Sequence, residues 1–240
     1  MSRAGIVAAL AAEARALCAA LPPSGSLTTL DDGTLLAVSG VGYPAADRAA
    51  RALLEAGAGG LISFGLAGGL DPALRAGTLV LPDEVCSTER PNVPVDAAWR
   101  RRLITALPAG QPFVGGKLWT SLTPILDTGA KRRLFAASSA PVVDMEAMAV
   151  ASAASAAATP FLAVKVIVDT ALDTLPRAVM AIDPAGRVRA ARVVVTLLRH
   201  PGEIITLIRL AGRYLAAQRM LRGIAAIEAL RQPTVEINTR

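Results

Sequence analysis

The chain has 240 residues, of which 53% are hydrophobic and 18% charged, with two cysteines and one histidine. Such a composition is too apolar for a disordered chain and sufficient for a sizeable core. It excludes a disulfide framework, a histidine-based metal site and a Ser-His-Asp triad. The net charge of +6 is unevenly placed. From Arg187 to Arg240 there are ten arginines against three glutamates, a balance of +7, and the preceding residues are nearly neutral. Aromatic residues make up only 3%, which offers no stacking platform for nucleic acid.

In chain order, Gly5–Leu10 reads as a short buried strand entering a helix over 11–20, with no signal peptide ahead of it. Asp31-Asp32-Gly33 predicts a hairpin turn before a strand over 34–39, and Pro44 opens a helix to Ala56. Gly60–Phe64 is a further strand that ends in the glycine-rich loop Gly65–Leu70. Strands follow at Thr78–Leu81, Val142–Asp144 and Phe161–Val168, with an alanine-rich helix over Glu146–Ala158. Alternating strands and helices predict an α/β fold, a three-layer αβα arrangement around a mixed, mostly parallel sheet. Functional loops are expected beyond the carboxyl ends of its strands.

Ala147–Val164 is free of charge for 18 residues, but its alanine and serine content and Pro160 argue against a membrane span. The segment after residue 186 is expected to be a separate arginine-rich, amphipathic helical extension of the domain at 1–186. Treating Glu203–Arg219 as a helix gathers Leu207, Ile208, Leu210, Ala211, Tyr214 and Leu215 on one face, opposite Arg209 and Arg213. Such a helix docks on the body or lies on an anionic membrane surface.

Four segments offer chemistry. Ser39-Gly40-Val41-Gly42 and Ala67-Gly68 place backbone N–H groups where an anion or a ribose can approach. Asp144-Met145-Glu146 puts two carboxylates at a helix start, where simple capping is the competing explanation. Asp169 ends an apolar strand, where it serves either as a turn residue or as an acid with a raised pKa.

Together with Glu13, these segments in this order resemble the purine nucleoside phosphorylase and nucleosidase superfamily over roughly residues 4–173. The match is nearest to methylthioadenosine/S-adenosylhomocysteine nucleosidases. The resemblance implies an enzyme that cleaves an N-ribosidic bond and needs no metal or redox cofactor, with phosphate as a potential co-substrate. It implies that Asp169 protonates the purine and that Glu13 activates water. It further implies that Glu146 binds the ribose hydroxyls, Met145 packs on the sugar, and Pro124 and Ile125 wall the base. Lys165 stands where the family carries an arginine, Leu66 and Val168 where it carries serines, and the aromatic base stacker near Thr123-Pro124-Ile125 is missing.

These departures, the stretch Leu175–Val188 and the basic tail resemble the hopanoid-associated phosphorylase subgroup. That resemblance implies adenine release from adenosylhopane, a role in hopanoid lipid synthesis, and a cytoplasmic homodimer associated peripherally with the inner membrane. The alternatives are a soluble methylthioadenosine/S-adenosylhomocysteine nucleosidase and a non-catalytic nucleoside- or lipid-binding module.

Overall fold

The computed structural model describes residues 3–19, 23, 25–176 and 203–233. The chain begins with β1 (Arg3–Ala8), the one-turn helix α1 (Ala11–Ala14), β2 (Leu27–Thr29), β3 (Leu35–Val38) and α2 (Tyr43–Glu55). β4 (Ala58–Gly69), β5 (Leu79–Val80), β6 (Glu84–Cys86), β7 (Val93–Pro94) and α3 (Ala97–Thr105) follow. Then come β8 (Phe113–Val114), β9 (Lys117–Thr120), α4 (Thr128–Ser138), β10 (Val142–Asp144), α5 (Ala147–Ala156) and β11 (Phe161–Asp169). The described chain ends with α6 (Glu203–Ala225) and a 3-10 turn at Glu228–Arg231.

All strands join one mixed sheet in which β4 is central, parallel to β1 on one side and to β11 on the other. β3 extends the parallel run beyond β1, while β10 meets the far end of β4 in antiparallel fashion. Alternation along the strands sends side chains to two cores. Val7, Leu61, Phe161 and Ala163 face α2 and α5. Ile6, Phe64, Leu162 and Val164 face α3 and α6. The architecture is therefore the expected three-layer αβα fold.

Several local expectations need correction. The helix after β1 stops at Ala14 rather than running to Ala20. Gly65–Gly69 is not a loop but the continuation of β4, because β11 and β10 keep pairing with it to the end. Among the described residues no helix is long and apolar enough to cross a membrane. The stretch read as 18 uncharged residues divides instead into α5 and β11.

The tail helix has a different phase from the one expected. Ala217, Gln218, Leu221, Ile224 and Ala225 are buried in the second core. Continuing that stripe backwards at helical spacing brings Tyr214, Arg213 and Leu210 inward. Ile208 and Leu215, expected on the same face as Tyr214, are 66% and 57% exposed. An arginine can take the inner position because Asp173 pairs with Arg213 and neutralises it there. The side chain of Leu207, the segment Pro184–Val188 and the boundary expected at residue 186 lie outside the described residues.

Candidate active site

The site forms at the carboxyl ends of β1, β4, β10 and β11. Glu13 sits in the one-turn helix that leaves β1, and its carboxylate is buried. Its Oε2 accepts the Leu10 N–H at 2.9 Å, the reach-back bond of a helix start. Its Oε1 crosses to accept the Leu66 N–H at 2.8 Å. That crossing requires the glycine before Leu66, since a Cβ on Gly65 would stand 2.4 Å from Oε1. Burial pushes the Glu13 carboxyl up, opposed by the Lys165 ammonium and the backbone N–H groups.

Asp144 and Glu146 divide the two explanations offered for their segment. Asp144 Oδ2 accepts the Ala147 N–H at 2.9 Å, a helix-capping bond, and its Oδ1 accepts from the Thr120 hydroxyl at 2.8 Å. Glu146 caps nothing in its own helix. Its Oε1 instead accepts the Gly42 N–H at 2.7 Å, across 104 positions of sequence. Gly42 opens α2 with φ +91°, a conformation that side chains other than glycine rarely adopt. The Ser39–Gly42 segment is thus held by the Asp144–Glu146 segment. Gly40 has φ +87°, and the buried Ser39 hydroxyl donates to the Gly40 carbonyl at 2.7 Å.

Lys165 lies fully within this cluster, 2.9 Å from Asp144 Oδ2. Burial alone would lower the pKa of the ammonium, but Asp144, Glu146 and Glu13 outweigh it and hold the pKa above its ordinary value. Burial and the Asp144 charge push Glu146 up to about 7, against the pull of Lys165 and the Gly42 bond. Three carboxylates therefore share one ammonium.

Asp169 stands apart from that cluster at the end of β11, where a bulge pairs it with Gly68 of β4. A Cβ on Gly68 would come within 3.2 Å of its Oδ2, so this glycine also keeps space for a carboxylate. Burial pushes the Asp169 carboxyl up, opposed by Lys131. Lys131 is fully buried and donates to Asp169 Oδ2 at 2.5 Å. Gly65 and Gly68, which touch the two carboxylates, are three residues apart on one strand. An extended chain spans about 10 Å over that interval.

The remaining expected positions fall around this frame. Met145 is half-buried beside Glu146, and Ala67 is buried in β4. Pro124 is half-buried, while Ile125 packs against the buried cluster of Leu70, Ala140 and Val143. A cavity of about 280 Å³ opens next to Thr120 and Met148, and its wall includes Trp119, Tyr43 and Arg90. Arg90 lies 4.8 Å from the centroid of the Tyr43 ring. Neither Pro124 nor Ile125 borders it. Among the described residues no group of His, Cys, Asp and Glu side chains is arranged to hold a metal ion.

Sequence reasoning missed three participants. Thr120 fixes Asp144, and its hydroxyl also accepts the Met148 N–H at 3.0 Å. Tyr214 of α6 stands close enough to Glu13 that the carboxylate, after burial, raises its phenol pKa. Lys131 was concealed in the basic run Lys131-Arg132-Arg133, though helical spacing puts it on the same face as Leu134 and Phe135.

The fold resembles solved structures over nearly their whole length. A mutant of the Helicobacter pylori methylthioadenosine nucleosidase holding 5′-methylthioadenosine matches with TM-score 0.68 and 13% identity, over 93% of this chain and 98% of that one. The S-adenosylhomocysteine nucleosidase of Streptococcus pyogenes matches with TM-score 0.65 and 20% identity, over 93% and 96%. The futalosine hydrolase of Helicobacter pylori matches with TM-score 0.66 and 14% identity, over 93% and 97%. A comparison of the sequence with curated proteins found no match. The model of the phosphorylase superfamily matches residues 4–199, most of the chain, and the protein is accordingly an enzyme of the phosphorylase superfamily.

Proposed function

We propose that the protein hydrolyses the N-ribosidic bond of a 5′-substituted adenosine and releases adenine. The observation that carries this reading is the pair of buried carboxylates set against glycines of β4, Glu13 at Gly65 and Asp169 at Gly68. Cleavage builds positive charge on the ribose and negative charge on the departing purine. Asp169 protonates the base at N7, and Glu146 accepts hydrogen bonds from the ribose hydroxyls, strengthening as the ring becomes cationic. Met145 packs on the sugar face, while the Ser39–Gly42 and Ala67-Gly68 segments border it. Glu13, its carboxylate oxygens fixed by two backbone N–H groups, orients water and takes its proton. Water rather than phosphate suits this environment. Lys165 is already enclosed by carboxylates, and an incoming dianion would be repelled in a low-dielectric site.

The 5′ substituent in this proposal is a hydrocarbon, as in adenosylhopane. Support comes from the resemblance of the sequence to the hopanoid-associated subgroup and from apolar side chains near the end of β11. Leu172 is 75% exposed, and its neighbour Asp173 is tied to Arg213 of α6, the helix that displays Ile208. Exposed leucine and isoleucine beside arginines suit peripheral contact with an anionic membrane. A second copy of the chain completes the site in this reading.

The test is adenine release from adenosylhopane in detergent and from methylthioadenosine, each with and without phosphate. Release from adenosylhopane without phosphate is expected. A phosphate requirement overturns the choice of water, and rapid turnover of methylthioadenosine overturns the lipid substrate. No release from either leaves a nucleoside- or lipid-binding module. Removing the tail is not a usable control, since α6 contributes Ala217, Leu221 and Ile224 to the core. Leu172→Glu and Ile208→Glu in the full chain are expected to lower co-sedimentation with anionic vesicles; unchanged co-sedimentation overturns the membrane contact.

A further inference from the structure

Lys131 has no role in the mechanism above, yet it is the only fully buried lysine or arginine recorded outside the Lys165 cluster among the described residues. Burying an ammonium is costly unless its donors are satisfied. Here the three N–H donors meet Asp169 Oδ2 at 2.5 Å, the Thr170 carbonyl at 2.8 Å and the Asp173 carbonyl at 2.9 Å. The turn that presents these carbonyls is itself fixed. Asp173 Oδ2 accepts the Thr170 N–H at 2.8 Å and the Thr170 hydroxyl at 2.6 Å, and pairs with Arg213. A lysine pinned by two neutral carbonyls thus has one remaining proton, aimed at the carboxylate.

This arrangement raises a difficulty for Asp169 as an acid. Asp169 Oδ2 is engaged as an acceptor, and the proton that lies against it is one carried by Lys131 Nζ. We infer that Lys131 is the positioning residue that recharges Asp169, passing it the proton that the purine receives. This rests on the assignment of Asp169 as the acid. In the step, a Lys131 N–H bond breaks as an Asp169 O–H bond forms. That O–H bond then breaks as purine N7–H forms, and the electrons of the C1′–N9 bond leave with the base. Water bonds to C1′ and its proton passes to Glu13. Glu13 returns a proton to solvent, and Lys131 regains one, so the cycle closes on ribosyl product and adenine.

Lys131→Arg separates relay from support. Arginine keeps the charge and offers N–H donors but does not give up a proton under working conditions. The measurement is kcat and KM for adenine release from adenosylhopane and from methylthioadenosine, in the full chain carrying Lys131→Arg, Lys131→Met or Asp169→Asn. The expected result is a loss in kcat of about 100- to 10,000-fold in all three with KM held, the usual span of general-acid catalysis. Near-normal kcat in Lys131→Arg overturns the relay and makes the lysine a structural clamp, as does a rise in KM with kcat held. Full activity in Asp169→Asn overturns the acid assignment, and with it the relay. Wild-type protein that releases adenine from neither substrate overturns the proposed function first.

Discussion

The described residues include two buried lysine–aspartate pairs, and they are built differently. Lys165 and Asp144 both project from strands, and the pair sits among further carboxylates, with Glu146 and Glu13 adding negative charge around the ammonium. Asp144 is also tied down by Thr120 and the Ala147 N–H, so the pair is an electrostatic keystone with no spare valence. Lys131 reaches Asp169 from α4, and its other partners are uncharged carbonyls. The first pair neutralises a site that would otherwise be strongly anionic. The second leaves one carboxylate and one proton facing each other at the end of a strand. Chemically equal partners thus serve different ends because their surroundings differ.

The comparison can be broken most severely by removing one ammonium at a time. Lys165→Met leaves buried Asp144 without its ion-pair partner, and is expected to cost about 3–5 kcal/mol of stability. Lys131→Met is expected to cost less, because the carboxylate that adds to the charge at Asp169, Asp173, is itself paired with Arg213. Urea denaturation of both variants checks the order, and equal midpoints would show that the two pairs are energetically alike. The next contrast lies in the glycines. Gly65→Ala drives a Cβ into Glu13 at 2.4 Å, whereas Gly68→Ala meets Asp169 at 3.2 Å. Adenine release is expected to fall further in the first, by at least tenfold relative to the second, as measured by kcat.

A smaller effect sharpens the electrostatics of the Lys165 cluster. Glu146 has its pKa raised to about 7, so it loses the charge that binds ribose as the pH falls through that value. KM is expected to rise below about pH 7, and Glu146→Gln is expected to bind weakly at every pH. The sign for folding is opposite. Between the ordinary value of 4.5 and about 7 the folded protein holds a proton that the unfolded chain has released. Stability attributable to this group therefore falls as pH rises across that window. Thermal melts of wild type and Glu146→Gln at matched pH test it. Smallest of all is Arg213→Ala. The pair with Asp173 is partly exposed, so stability should change by about 1 kcal/mol or less in a melt.

Much of this was legible from the chain. The strands of the central sheet announced themselves as apolar runs, and Asp31-Asp32-Gly33 marked the β2–β3 hairpin because Gly33 must adopt φ +85°. Glu146 and Asp169 stood out as carboxylates at or just after strand ends, Glu13 only through the family resemblance, and all three are found buried. β6 to β9 and α3 were not legible, for they are short or depend on neighbours for their pairing. The tail helix was legible as a helix, but its phase was not, since an arginine on the inner face breaks the hydrophobic pattern until its partner Asp173 is known.

The sequence by itself determined the alternation of strands and helices, the glycine positions where a carboxylate meets the backbone, and the acidic residue types available for chemistry. These are local properties, set by side-chain periodicity and backbone conformational freedom. Only the tertiary structure decided which charges face which. Gly42 and Glu146 meet across 104 positions, and Lys131 finds Asp169 across 38. A lysine in a basic run looks solvated until folding removes its water, and what then decides its role is the set of acceptors the fold places around it.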